Sequence, residues 1–218
     1  MNVKEIDWSL YAIIDKAFIG ERDLETLTEE IIAGGAGIIQ YRNKISSAGE
    51  FYEEALKIRQ VTKRHAIPLI INDRVDIAMA VEAEGVHLGQ KDLPWSVAKR
   101  ISSGNLIIGA SVHNLNEFHR AMEAPVDYLG VGTIYPTFSK SEGIEIAGVQ
   151  IIHQLRPRTH LPIVAIGGIN LDNLEPVIQA GADGVAVISA LLTAEDVQAR
   201  ARAFIQKIKS VKVQIVKS

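Results

Sequence analysis

The sequence predicts a single (β/α)8 barrel formed by residues 1–218. Three observations carry that expectation. Eight short apolar runs recur along the chain, and each is followed by a segment of helical period. The runs are rich in Ile and Val and hardly alternate with polar residues, as strands covered on both faces should be. No Pro/Gly/Ser-rich linker separates them, and 218 residues suffice for one barrel of about 200 residues or slightly more. A doubly wound open sheet is the rival; it usually has fewer strands, and no G-x-G-x-x-G follows the first run.

The expected strands, in order, are LYAII (10–14), GIIQY (37–41), PLII (68–71), GVHL (85–88), LIIGA (106–110), DYLGV (127–131), PIVAI (162–166) and GVAVI (184–188). Amphipathic stretches lie between or after them. FYEEALKIRQVTKR (51–64) puts Phe51, Ala55, Ile58 and Val61 on one face, and LEPVIQAGA (174–182) and AEDVQARARAFIQKI (194–208) repeat that spacing. Gly34, Gly35, Gly104 and Gly181 stand where helices should stop before the next strand. Lys207, Lys209, Lys212 and Lys217 read as a solvated helix face running into a frayed tail over 211–218.

Composition narrows the function. Apolar residues make up 47% and charged residues 22%, an ordinary globular balance able to fill a large core. A net charge of −3 argues against nucleic acid or an anionic membrane as partner. The absence of cysteine removes disulfides, thiolate nucleophiles and zinc–sulfur sites, and suits a reducing compartment. The opening MNVKEIDWSL lacks the basic end and apolar stretch of a signal peptide, and no apolar run reaches about 18 residues. A cytoplasmic protein acting on small molecules is expected. The oligomeric state stays open, a homo-oligomer included.

Barrel active sites gather at the C-terminal ends of the strands. Here those ends carry Gln40-Tyr41-Arg42-Asn43-Lys44, Asn72-Asp73, Gly89-Gln90-Lys91-Asp92, Ser111-Val112-His113, the loop Gly132–Lys140, Gly167-Gly168 and Ser189. Taken alone, Asn72 and Asp73 in NDRVDIA (72–78) would be helix caps. Polar or glycine residues at almost every strand end are harder to explain that way. The glycines and small hydroxyls of AIGGIN (165–170) and GVAVISA (184–190) suit a phosphate cradle, for which barrels favour the seventh and eighth strands, although tight turns also use glycine. Arg42, Lys44 and Lys140 bring three cations to one mouth and imply a polyanion. Asp73 and Asp92 on neighbouring strands would repel that polyanion unless a hard cation lay between them. Mg²⁺ uses one or two carboxylates plus substrate phosphates in this way. No residue stands out as a general base, so rate is expected from stabilising a departing anion.

QYRNK (40–44), INDRVDIA (71–78), GVHLGQKD (85–92), GASVH (109–113), GTIYPTFSK (132–140), PIVAIGGI (162–169) and GADGVAVISA (181–190) together resemble the thiamine-phosphate synthase family, from about residue 10 to 192. The resemblance implies a barrel enzyme that joins 4-amino-2-methyl-5-pyrimidinylmethyl diphosphate to 4-methyl-5-(2-phosphoethyl)thiazole and requires Mg²⁺. It implies that Gln40, Arg42, Lys44, Asn72, Ser111 and Lys140 bind the pyrimidine diphosphate, with Arg42, Lys44, Ser111 and Lys140 acting on the departing group. Asp73 and Asp92 would hold the metal, and Thr137, Ser139, Gly168, Ile188 and Ser189 the thiazole phosphate. Tyr41, Asn43 and Phe138, inside the same motifs, join the expected substrate contacts. Two departures occur. Thr133 replaces a usual proline, which should loosen its loop, and Phe138-Ser139 replaces a polar residue and threonine while keeping a hydroxyl.

Two rivals remain open at this stage. A related thiazole tautomerase would use His113 as acid–base group, but such isomerases tend to lose the Asn-Asp and Gly-Gln-x-Asp carboxylates kept here. A non-catalytic sensor of thiazole or thiamine phosphate would show decayed diphosphate and metal positions. His87 reads as a packed, hydrogen-bonded strand residue, and His65, His119, His153 and His160 as surface residues.

Overall fold

The computed structural model describes residues 3–137 and 146–217. Its strands and helices alternate: β1 (Leu10–Asp15), α1 (Lys16–Ile19), α2 (Leu24–Ala33), β2 (Ile38–Arg42), α3 (Ala48–Arg64), β3 (Leu69–Asn72), α4 (Val75–Ala80), β4 (Gly85–Leu88) and α5 (Trp95–Ile101). There follow β5 (Ile107–Val112), α6 (Leu115–Met122), β6 (Tyr128–Val131), α7 (Gln150–Leu155), β7 (Ile163–Ile166), α8 (Leu174–Gln179), β8 (Gly184–Val187), α9 (Ser189–Leu192) and α10 (Val197–Lys217). The strands pair in sequence order and close on themselves, β8 lying parallel to β1 with Tyr11 opposite Ala186. This is the expected (β/α)8 barrel. Each expected strand lies within two residues of an observed one.

Local chemistry accounts for the elements. The β1 side chains are buried throughout, because the barrel interior takes one face and the helix layer the other. Phe51, Ala55, Ile58 and Val61 all turn inward on α3. That helix starts three residues earlier than its apolar period suggests, because Ser47 and Glu50 form a capping box.

At the N-terminal rim a repeated device pins the strands. Glu84, Asp127 and Asp183 each precede a strand and accept a backbone N–H from the first or second residue of the strand before: Leu69 at 2.9 Å, Ile108 at 2.8 Å and Ile163 at 2.7 Å. Arg59, Lys99 and Arg156 pair with those acids in turn.

The tail expectation is corrected. α10 continues through 211–217, where Val211 is buried and Lys212 Nζ donates to the Asp183 carbonyl (2.7 Å) and to Ser9 Oγ (3.1 Å). Lys212 therefore works as a clasp across the barrel floor rather than as a solvated charge. Among the described residues no helix is long and apolar enough to cross a membrane.

Candidate active site

Strand periodicity decides what the barrel mouth sees. Along β2, Gln40 and Arg42 point inward and line a cavity with Asn72, His87 and Ser111. Tyr41, one step out of phase, faces the helices. It is fully buried, stacks edge-on against Phe51 at 5.2 Å and donates its hydroxyl to Glu54 Oε2 at 2.5 Å. Asn43 donates to the same carboxylate at 2.8 Å, while its Oδ1 accepts the N–H groups of Ile45 and Ser46. Tyr41 and Asn43 are thus corrected from substrate contacts to braces of the β2–α3 turn, a consequence of the two-residue repeat of a strand.

Arg42 is held by a residue the motifs passed over. Asp15, 1% exposed at the end of β1, accepts from Arg42 at 2.5 Å and also receives the Ala17 N–H. A buried carboxylate gripping the guanidinium fixes its plane at the mouth.

Asn72 and Asp73 do not cap α4. The cap position is Arg74, whose side chain makes no cap hydrogen bond. Asp73 instead sits at φ 62°, a left-handed conformation that is uncommon for a non-glycine residue, although Asp adopts it more readily than most. Its carboxyl group pairs with Lys44. Burial raises the Asp73 pKa above the ordinary carboxylate value, and the neighbouring Asp92 raises it further against the opposing pull of Lys44. Asp92 uses one oxygen to close its own turn, accepting the Gly89 N–H at 2.8 Å.

Two adjacent carboxylates, one of them disfavoured as an anion, fit a hard divalent cation. Among the described residues no group of three or more His, Cys, Asp or Glu side chains is placed to hold a metal. The pair therefore suits an ion such as Mg²⁺, whose remaining ligands come from phosphate and water.

Ser111 stands at the end of β5 with its hydroxyl 2.9 Å from His87 Nε2. Its carbonyl accepts from Gln90, which Arg120 holds in turn. His113 turns elsewhere. It pairs with Glu117 at 2.8 Å and lines an outer groove with Leu115 and Ile146, apart from both mouth cavities.

The second mouth cavity, about 480 Å³, lies over the ends of β7 and β8, where Gly168, Ile188 and Ser189 line it together with Thr137. A Cβ on Gly168 would lie 2.4 Å from the Pro136 carbonyl, so the loop approach and the φ of 63° both require glycine there. Arg200 of α10 also lines this cavity and donates to the Ala190 carbonyl at 3.1 Å. It was invisible to motif reasoning because it sits in a helix distant in sequence from any strand end. Thr133 is buried, and its loop is tied down by Ile134 N–H to the Ile166 carbonyl, Tyr135 N–H to that of Gly167, and Ala147 N–H to that of Thr133. The expected loosening is absent at this end of the loop. Phe138, Ser139 and Lys140 lie outside the described residues.

The two cavities share Ile166, Ala186 and Ile188 as a common wall. A cavity inside the barrel thus abuts a glycine-lined one at its mouth. Fold and site together define a (β/α)8 barrel of the enzyme type, with adjoining cavities at the C-terminal strand ends.

Comparison with known proteins names the class. A family model described as thiamine monophosphate synthase matches residues 10–191. The chain is 46% identical to a thiamine-phosphate synthase of Chloroflexus aurantiacus over 197 residues, covering 90% of this chain and 91% of that one. It is 43% identical to the Clostridium tetani thiamine-phosphate synthase over 198 residues, with 91% and 94% covered. The solved thiamine phosphate pyrophosphorylase from Pyrococcus furiosus superposes with a TM-score of 0.85 at 38% identity, covering 94% of this chain and 97% of that one. The chain belongs to the thiamine-phosphate synthase family and is a transferase of thiamine biosynthesis.

Proposed function

We propose that the enzyme couples 4-amino-2-methyl-5-pyrimidinylmethyl diphosphate with 4-methyl-5-(2-phosphoethyl)thiazole, releasing thiamine phosphate and diphosphate. The observation that carries this reading is the wall shared by the two cavities, Ile166, Ala186 and Ile188. Two ring systems seated side by side against these shared residues would bring a methylene carbon and a ring nitrogen together, replacing a bimolecular encounter by a positioned one.

The pyrimidine would enter between Gln40 and Ser111, with its diphosphate directed to Arg42, Lys44 and, by its motif, Lys140. The thiazole phosphate would lie along Gly168 and Ser189, with Thr137 beside it and Arg200 as a further cation. Asp73 and Asp92 would hold Mg²⁺, which supplies charge neutralisation for the departing diphosphate.

The substitution is dissociative. The C–O bond breaks with its electron pair going to the diphosphate, the amino-substituted ring stabilises the methylene cation, and the thiazole nitrogen then forms the new C–N bond. No proton has to be removed by the protein, in keeping with a mouth that offers cations and hydroxyls but no evident general base. Arg42, locked by Asp15, needs no reorientation as charge builds on the leaving oxygen.

The test is to incubate the protein with both phosphorylated substrates, with Mg²⁺ or with EDTA, and to follow thiamine phosphate. Product formed only with Mg²⁺ is expected. Undiminished coupling in EDTA would overturn the metal role, and ring isomerisation without coupling would overturn the synthase reading.

A further inference from the structure

Inside the barrel, beneath the mouth, five polar side chains form one continuous chain. Gln40 Nε2 donates to the Tyr11 hydroxyl at 2.8 Å. Tyr11 and Tyr128 share a 2.8 Å hydrogen bond between their hydroxyls. The Tyr128 hydroxyl lies 2.9 Å from His87 Nδ1, and His87 Nε2 lies 2.9 Å from Ser111 Oγ. All five residues line the inner cavity. The chain runs from β1 and β2 to β4, β5 and β6, so it spans more than half of the barrel wall.

Backbone space is set aside for it. A Cβ on Gly109 would lie 2.3 Å from the Tyr128 hydroxyl and 2.5 Å from His87 Nδ1, and one on Gly130 would lie 2.7 Å from His87 Cε1. Burial also raises both phenols above their ordinary range, so each keeps the proton the chain needs.

The bonds have a direction. With the Gln40 amide donating, the arrangement that leaves every proton donated is unique. Tyr11 donates to Tyr128, Tyr128 donates to Nδ1, and Nε2–H donates to Ser111. Gln40 Oε1, which takes no bond from the described residues, then faces the cavity as an acceptor, and the Ser111 proton is free to donate. Reversing the Gln40 amide would reverse every bond and both ends together. A half-reversed chain would leave a buried donor or acceptor unpaired, and that penalty ties the two ends together.

We propose that Gln40–Tyr11–Tyr128–His87–Ser111 is a polarity relay. It orients the amide of Gln40 and the hydroxyl of Ser111 as one unit, so that an acceptor and a donor are offered together to the ring between them. Tyr11, Tyr128 and His87 are positioning residues in this scheme. The inference rests on the aminopyrimidine reading above. An amino group beside a ring nitrogen matches the offered pair and an oxo group beside a ring N–H would match the fully reversed one, whereas a methoxy group beside a ring nitrogen presents two acceptors, which neither arrangement of the chain can pair.

The experiment compares calorimetric binding of 4-amino-2-methyl-5-hydroxymethylpyrimidine phosphate with that of its 4-methoxy counterpart. The parent enzyme is expected to prefer the amino ligand by about 100-fold, since a site built to pair with an N–H rejects a ligand lacking it. Tyr128→Phe and Tyr11→Phe each cut the relay, and the preference should fall below about tenfold while the amino ligand loses only a few-fold. Trp8→Phe, which alters the ring packed at a tilt against Tyr128 at 4.8 Å but no relay bond, should leave the preference intact. Weakening of both ligands by equal factors in both tyrosine variants would show a purely structural role and overturn the proposal, as would loss of the preference in Trp8→Phe. If the parent couples both substrates to thiamine phosphate but shows no amino preference, only the relay fails. If neither pyrimidine binds and no coupling occurs, the functional reading fails with it.

Discussion

At Asp73 the geometry is one that a stable fold avoids. A left-handed backbone and a half-buried carboxyl group beside a second carboxylate all work against folding, because burial and Asp92 disfavour the ionised form. The sign follows from the raised pKa. The protonated group is the favoured one in the native state, so this residue's contribution is full below the ordinary carboxylate value and is lost as pH rises through the shifted one. Asp73→Asn, which mimics the protonated form and tolerates the left-handed conformation, should therefore melt higher than the parent at pH 7 in metal-free buffer. The gain should disappear on acidification below the ordinary value, and coupling should fall by 100-fold or more, about 3 kcal/mol of barrier. A parent and variant with equal Tm at pH 7 would contradict the assignment.

Ser111 and His113, two positions apart, divide the enzyme readings in the same way. Ser111 faces the inner cavity and His113 an outer groove. Ser111→Ala should cost about 1–3 kcal/mol of coupling, since it leaves His87 Nε2 and the pyrimidine ring nitrogen without their buried partner. His113→Ala should cost tenfold at most, roughly 1.4 kcal/mol. Steady-state rates of thiamine phosphate formation by the two variants check the order.

Among the elements, strands were the most legible. Their short Ile/Val runs survive as strands because both faces are covered, so no polar alternation blurs them. Helix starts were less so. The α3 cap is a pair of polar residues lying outside the apolar period. The function of Tyr41 and Asn43 could not be read from QYRNK, since one-residue steps along a strand alternate between barrel and helix layer. Nor could Asp15 and Arg200, whose roles come from neighbours 27 residues away in one case and from a cavity wall in the other.

The β6–α7 connection makes its own prediction. Thr133 is 2% exposed, and its Oγ1 has no hydrogen-bond partner among the described residues. An unpaired buried hydroxyl costs about 1–3 kcal/mol, so the isosteric Thr133→Val should raise stability by about 1 kcal/mol with coupling unchanged. Urea denaturation measures it, and a lower midpoint would mean that the hydroxyl is paired.

For the molecule as a whole, closure depends on the last helix. α10 packs against α2 and α8, and its Lys212 reaches Asp183 and Ser9 across the floor where β8 meets β1. Sequence alone suggested a tail, because lysines at intervals in a polar segment look solvated until a tertiary acceptor is known. Removing residues 211–218 should expose the site of Val211 and free the clasp. A loss of about 2 kcal/mol would lower Tm by roughly 4–8 °C. A truncated chain that melts with the parent would restore the tail reading.

The empty positions at Gly109 and Gly130 also constrain how this barrel can change over generations. A methyl group at either would collide with the Tyr128 or His87 ring, while a smaller residue at 128 would open a void that only a larger neighbour could fill. Each change is harmful first and tolerable second, so any lineage that remodels this interior has to cross a fitness valley. The steps that leave it are blocked by sign epistasis between residues far apart in the chain but in contact across two strands.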